Sequence, residues 1–154
     1  MRLTEEETRR RFAAARVARL ATADAEGRPH LVPVTFAVRD SVRDSVRGGA
    51  AGEADTVVFA VDGKPKRHRE LKRLAHIRAN PAVSLLVDAY DEDWTRLWWA
   101  RADGTASVRE VAGRPEEDPD LRLLAARYPQ YAQEPPAGPV VEIAVRRWSG
   151  WAAA

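Results

Sequence analysis

Residues 17–38, VARLATADAEGRPHLVPVTFAV, constrain the fold of this chain more than any other stretch. Two runs rich in Val, Leu, Thr and Phe flank the turn-forming residues 24–27, which is the pattern of a β-hairpin. Pro29 and Pro33 cannot donate a backbone hydrogen bond, so we expect the second strand at a sheet edge or next to a bulge. The fold therefore contains antiparallel strands.

Similar strand-like runs recur along the chain, and helical patterns stand only at the start, in the middle and near the end. No β-α-β repeat is present. We therefore predict a mainly β (α+β) fold, an antiparallel barrel of about six strands with about three appended helices. The further strands are expected at 56–61, at 82–90, on both sides of an Asp103-Gly104 hairpin turn, and at 140–151.

Two of the helices have clear sequence signals. Thr4 followed by Glu7 is a capping box, which predicts a helix start at that point. The second amphipathic helix follows Pro119, where apolar residues recur at helical spacing; they are Leu121, Leu124, Ala125 and Tyr128.

Length and composition predict one domain, residues 1–154. The chain has 154 residues, of which 45% are apolar and 31% are charged, as in soluble globular proteins. Residues 39–55 repeat R-D-S-V and then become rich in Gly and Ala, so we interpret them as an extended flexible hairpin loop. The absence of cysteine excludes disulfides and thiolate chemistry, the histidine spacing predicts no metal site, and we expect a cytoplasmic protein with no membrane partner.

The stretch from Gly63 to Pro81, GKPKRHRELKRLAHIRANP, contains seven lysines and arginines and a single acid, Glu70. On a helix, one polar stripe forms opposite Leu71 and Leu74. Its members are Lys66, Arg69, Arg73 and His76. Asn80-Pro81 predicts the end of this helix.

The N-terminal end of this helix carries Lys64, Lys66 and Arg67, although the helix dipole favours anions there. Free backbone N–H groups beside cationic side chains are what a phosphate or carboxylate site requires. A solvated face is the simpler alternative. A nucleic-acid site is a further one, but the formal net charge is only +2 and no nucleic-acid-binding motif is present, so we expect no nucleic-acid partner.

Three segments, residues 15–38, 62–108 and 140–151, resemble the pyridoxamine 5′-phosphate oxidase-like flavin and deazaflavin oxidoreductases, and most closely their branch that depends on the deazaflavin coenzyme F-420. The resemblance implies an FMN-binding split β-barrel that forms a homodimer. It also implies a flavin-like ring in a groove between the subunits, with its phosphate held by basic residues before an N-P-x-V strand.

The resemblance assigns candidate cofactor-binding residues, and no catalytic residue. Arg73 would hold the phosphate; this family often has Lys at that position, and Asn where this chain has His76. The other contacts would be Val34, Thr35 and Phe36 along the ring, and Lys64, Lys66, Arg67 and Lys72 along a longer anionic tail.

The length of the cationic tract favours coenzyme F-420 over FMN, since a deazaflavin tail carries a phosphodiester and several carboxylates. The expected function is hydride transfer from reduced deazaflavin to a small unsaturated or quinone-like substrate. The alternatives are an FMN-dependent oxidase or reductase and a non-catalytic coenzyme carrier. Trp98 and Trp99 are expected to face opposite sides of a strand, and Trp148 and Trp151 to be interface candidates.

Overall fold

The computed structural model describes residues 1–40, 55–61 and 67–153, with residues 67–71 described by their backbone alone. Over these ranges the chain forms four α-helices, seven β-strands and two short 3₁₀ turns, at Trp94–Arg96 and Pro115–Glu117. The helices are α1 (Glu5–Ala14), α2 (Arg67–Ala79), α3 (Pro119–Arg127) and α4 (Pro129–Gln133). The strands are β1 (Ala18–Ala23), β2 (Pro29–Val34), β3 (Ala37–Arg39), β4 (Thr56–Ala60), β5 (Ala82–Ala89), β6 (Trp98–Arg109) and β7 (Val140–Ala152).

The strands form one antiparallel sheet in the order β2-β1-β5-β6-β7-β4-β3. The mainly antiparallel β architecture with several helices is confirmed, and β2 lies at an edge, as its prolines predict. The expected count of six strands is wrong, because the sheet has seven. Within the described ranges no ladder joins β2 to β3, so the sheet does not close completely by hydrogen bonds.

The predicted hairpin at Asp103-Gly104 is wrong, since both residues lie inside the continuous strand β6. Its ladder with β7 shifts register there: Asp103 lies opposite Arg147, whereas Gly104 lies opposite Val145. A Cβ on Gly104 would stand 2.4 Å from the carbonyl oxygen of Ala144. Gly104 is therefore required by the close approach of two strands at a β-bulge and not by a turn.

Gly104→Ala should lower the free energy of unfolding by about 1–3 kcal/mol, because a methyl group there must displace backbone. Denaturant unfolding of both proteins measures the difference. Ser107→Ala, at an exposed position of the same strand, is the control and should stay within about 0.5 kcal/mol of the wild type. Equal stability of the two variants would contradict the close-contact explanation.

Helix α1 forms as the capping box predicts. The Thr4 hydroxyl accepts a hydrogen bond from the Glu7 N–H at 3.1 Å. Phe12 is fully buried in the main core, where its ring lies 4.9 Å from that of Phe36. None of the helices in the described ranges is long and apolar enough to cross a membrane.

Helices α3 and α4 cover a second, smaller core. Leu121, Leu124 and Tyr128 pack there against Val58 and Val140. The expected helix stops at Tyr128, which has extended backbone angles (φ −121°, ψ 114°) and precedes Pro129. A residue before proline avoids the helical region, so the proline divides the segment into two helices.

A partly buried ionic network holds α3 to the sheet. Arg109 donates hydrogen bonds to Asp118 at 2.7 Å, to Asp120 at 2.9 Å and to Glu142 at 2.6 Å. Arg39 donates to both carboxylate oxygens of Asp120, at 2.9 and 3.0 Å. Hydrogen bonding to Arg109 is the main cause that lowers the pKa of Asp118. The network joins β3, β6, β7 and α3.

Candidate functional site

Helix α2 meets the edge strand β2 through two histidine rings. Leu74 and Ile77 on α2 are buried in the main core, so the helix is fixed over the inner face of the sheet. His30 on β2 is two residues from Val32, which packs against that core. The rings of His30 and His76 lie 4.1 Å apart between centroids and are tilted by 35°. The polar side of α2 therefore faces β2 across a stacked imidazole pair.

Two described cations of α2, Lys72 and Arg73, lie one helical turn before His76. Lys72 is exposed and Arg73 is half-buried. Arg78 is directed elsewhere, since its side chain is 58% exposed and its guanidinium lies 4.0 Å from the carboxylate of Glu110. The structure thus brings Arg73, His76 and His30 to one side of the helix.

The remaining predicted tail contacts fall outside the described part of the molecule. Lys64 and Lys66 lie in the gap between residues 61 and 67, and Arg67 belongs to the segment described by its backbone alone. Their contact with a cofactor tail stays a prediction.

The predicted ring contacts occupy the segment that joins β2 to β3. Val34 is 7% exposed and Phe36 is fully buried, so both side chains belong to the core. Thr35, between them, is half-buried. Because side chains in extended backbone alternate, Thr35 offers its side chain to a ligand, whereas Val34 and Phe36 can offer only their backbone.

Two tyrosine hydroxyls contact this segment, and the sequence analysis did not identify them. The Tyr128 hydroxyl accepts a hydrogen bond from the Phe36 N–H at 3.1 Å and lies 2.9 Å from the Phe36 carbonyl oxygen. The Tyr131 hydroxyl lies 3.0 Å from Thr35 Oγ1. The Thr35 and Tyr131 positions are 96 residues apart in sequence. The recurrence of tyrosine three residues apart, at 128 and 131, is a local feature that could have indicated a shared role.

A separate cavity of about 460 Å³ opens on the outer face of the sheet. Its walls are mainly aromatic and aliphatic, with Asp88 and Arg101 as charged members, and none of the predicted cofactor contacts whose side chains the structure describes lines it. The apolar members are Leu86, Ala89, Tyr90, Leu97, Trp98, Trp99 and Trp151. Trp99 lies opposite Trp151 in the β6–β7 ladder, and the Arg101 guanidinium lies 5.7 Å from the Trp99 ring centroid.

Of the tryptophans expected at an interface, Trp151 is 39% exposed on this outer face. Trp148 is instead partly buried and makes contacts within the chain. Its ring lies 5.2 Å from that of Phe12, and its Nε1–H donates to Asp55 at 3.1 Å. Trp98 packs against the main core while Trp99 faces the outside, as alternation along a strand predicts.

The family model of pyridoxamine 5′-phosphate oxidase matches residues 4–152. The chain belongs to this family. The match spans the capping box of α1, the hairpin of β1 and β2, helix α2 and the long strands β6 and β7. Membership in the pyridoxamine 5′-phosphate oxidase family therefore rests on nearly the whole chain and not on one motif.

Solved structures show the same fold at low identity. An FAD-binding protein from Mesorhizobium loti is 19% identical with a TM-score of 0.66, over 97% of this chain and 93% of that one. A conserved hypothetical protein from Mycobacterium tuberculosis is 22% identical with a TM-score of 0.67, over 98% of this chain and 86% of that one. An FAD-binding protein from Mycobacterium smegmatis is 17% identical with a TM-score of 0.59, over 98% of each chain. No curated protein matches the chain.

Proposed function

We propose that this chain is an oxidoreductase that uses the reduced deazaflavin coenzyme F-420 to transfer hydride to a small unsaturated or quinone-like substrate. The observation that carries the proposal is the cationic side of α2, where Arg73 and Lys72 lie one helical turn before His76, whose ring stacks on His30 at the edge of the sheet. Membership in the pyridoxamine 5′-phosphate oxidase family supports the redox class. The choice of coenzyme F-420 and the hydride acceptor are our inference.

The residues present fit a cofactor with an anionic tail. Arg73 and the two imidazoles supply hydrogen-bond donors for phosphate oxygens, and the exposed Lys72 supplies a charge for a more distant carboxylate. The half-buried Thr35 hydroxyl supplies a polar contact for a ring system.

The bound coenzyme would supply the hydride, so the protein needs neither a nucleophile nor a metal for the transfer. Arg73, with Lys64, Lys66, Arg67 and Lys72, would hold the tail and thereby place the ring. The segment Val34–Phe36 would lie along the ring and, with the core behind it, exclude water from one side. Positioning two reactants face to face is the main catalytic contribution available to such a site.

FMN is the second candidate cofactor, and a specific observation favours it. The structural neighbours from Mesorhizobium loti and Mycobacterium smegmatis are named as FAD-binding proteins. FAD and FMN contain the same isoalloxazine ring. FMN ends in one phosphate, so it would use Arg73 and leave the other cations of α2 without a ligand. A non-catalytic carrier would bind the coenzyme at the same site. Single-turnover oxidation of the bound reduced coenzyme by a quinone would distinguish an enzyme from a carrier.

We also propose that the chain forms a homodimer through the outer face of the sheet, with the cofactor groove at its margin. This face exposes apolar side chains on three of its strands, β2, β5 and β7: Leu31 is 69%, Leu86 37% and Trp151 39% exposed. It also carries charges of both signs, in the pairs Arg19–Asp88 and Arg101–Asp103. A face with mixed charges and exposed apolar residues can be complementary to a second copy of itself.

Leu86→Lys should weaken dimerisation by about tenfold or more, because it places a third cation between Arg19 and Arg101, which flank Leu86 in the sheet. Sedimentation equilibrium of the wild type and the variant measures the association constant. Gln130→Lys, an exposed position on α4, is the matched control and should associate like the wild type. A wild-type protein that stays monomeric at tens of micromolar with coenzyme present would contradict the proposed dimer.

A further inference from the structure

We propose that Tyr131 is a positioning residue of the cofactor site, acting through the hydroxyl of Thr35, and that α4 is thereby part of that site. The inference rests on the proposed function and extends it to a helix distant in sequence from every predicted contact. Its basis is the 3.0 Å contact between the Tyr131 hydroxyl and Thr35 Oγ1.

The contact leaves one hydroxyl proton for a ligand. Each hydroxyl carries one donor proton and two acceptor lone pairs, and the contact uses one proton of the pair. Thr35 and Tyr131 are both half-buried, so the pair is neither sealed in the core nor fully solvated. The ring systems of flavins and deazaflavins present carbonyl oxygens and a ring nitrogen as acceptors. The remaining proton can therefore be donated to a ring that lies along residues 34–36.

The anchoring of this segment does not depend on Tyr131. The Tyr128 hydroxyl, in a side chain only 7% exposed, contacts the backbone of Phe36 on both its N–H and its carbonyl, and the Arg16 carbonyl at 3.0 Å. The Tyr131 ring packs against Tyr128 edge-on, with centroids 5.8 Å apart, and this packing does not need its hydroxyl. The Tyr131 hydroxyl is therefore available for a role beyond holding the fold.

The two tyrosines provide a matched pair of variants, Tyr131→Phe and Tyr128→Phe, each of which removes one oxygen atom. Three quantities are measured on the full chain: the melting temperature without ligand, the Kd for coenzyme F-420 and for FMN by tryptophan quenching, and the absorption spectrum of the bound cofactor. Tyr131→Phe should leave the melting temperature unchanged, weaken binding of the preferred cofactor about tenfold and shift its spectrum. Tyr128→Phe should lower the melting temperature by several degrees and change the Kd less.

A double variant tests whether Tyr131 acts through Thr35. Thr35→Val keeps the shape of the side chain and removes its hydroxyl, so the pair Thr35→Val and Tyr131→Phe should bind no more weakly than Thr35→Val alone. If the losses of binding free energy in the two single variants add up in the double variant, Tyr131 does not act through Thr35. A Tyr131→Phe protein with wild-type Kd and spectrum would overturn the inference while the proposed function stands. If the wild type binds neither cofactor, the proposed function itself fails.

Discussion

Arg109→Met should destabilise the protein by about 2–4 kcal/mol, somewhat less than the roughly 3–5 kcal/mol typical of breaking a fully buried ion pair, because the side chain of Arg109 is 35% exposed. Arg109 is the common donor to Asp118, Asp120 and Glu142, and the first two side chains are only 7% and 4% exposed. Without the guanidinium, the Asp118 carboxylate stays desolvated and loses its main partner, while Asp120 loses one hydrogen bond and keeps those from Arg39. Denaturant unfolding at neutral pH measures the loss.

Arg96→Met is the control for this prediction. Arg96 also pairs with a carboxylate, Asp91 at 3.4 Å, but its side chain is 73% exposed. A solvated pair of this kind contributes at most about 1 kcal/mol. Similar costs at positions 96 and 109 would show that the network contributes no more than a surface ion pair.

The same network predicts a loss of stability in acid. Hydrogen bonds from Arg109 hold the pKa of Asp118 below its usual 3.8 in the folded protein. A carboxyl with a lowered folded-state pKa stabilises the fold above its unfolded pKa, and this contribution is lost as the pH falls below about 3.8 towards the folded-state value. Urea unfolding between pH 7 and pH 2.5 should show that the free energy of unfolding falls less for Asp118→Asn than for the wild type. An equal fall in both proteins would contradict the contribution of Asp118 to acid sensitivity.

Arg73→Ala should weaken coenzyme binding by the equivalent of about 2–5 kcal/mol, if its guanidinium pairs with the coenzyme phosphate. The reason is that a phosphate in a partly desolvated site loses its bidentate partner. Tryptophan quenching upon titration with coenzyme F-420 measures the loss, and a melting curve without ligand shows whether the variant is folded.

Arg78→Ala is the matched control on the same helix. Its side chain is 58% exposed and lies near Glu110, away from the His30–His76 pair. It should therefore change the coenzyme Kd less than about threefold. Equal losses at positions 73 and 78 would mean that α2 attracts anions by its overall charge and holds no defined phosphate site.

Local sequence signals correctly predicted those secondary-structure features that are determined by residues close in sequence. The capping box at Thr4 gave the start of α1, and the prolines of β2 gave its edge position. Asp103-Gly104 misled the prediction because a glycine is needed equally by a tight turn and by a close backbone approach. The carbonyl of Ala144 that decides between them is 40 positions away and has no local signature.

The candidate site was predictable only in part for the same reason. The cationic side of α2 can be read from helical spacing, and Arg73 and Lys72 lie on or near the surface as expected. The His30–His76 stack and the Thr35–Tyr131 contact join elements that meet only after the sheet forms. Likewise, alternation could have shown that Val34 and Phe36 face the core, because both flank Thr35 in extended backbone.

Parallel titration of the purified protein with coenzyme F-420 and with FMN tests the central claim most directly. Both are followed by quenching of tryptophan fluorescence at physiological salt. We predict saturable binding of the deazaflavin, with a Kd on the order of micromolar or lower and at least about tenfold tighter than for FMN. Micromolar binding of FMN with no detectable binding of the deazaflavin would contradict the proposal.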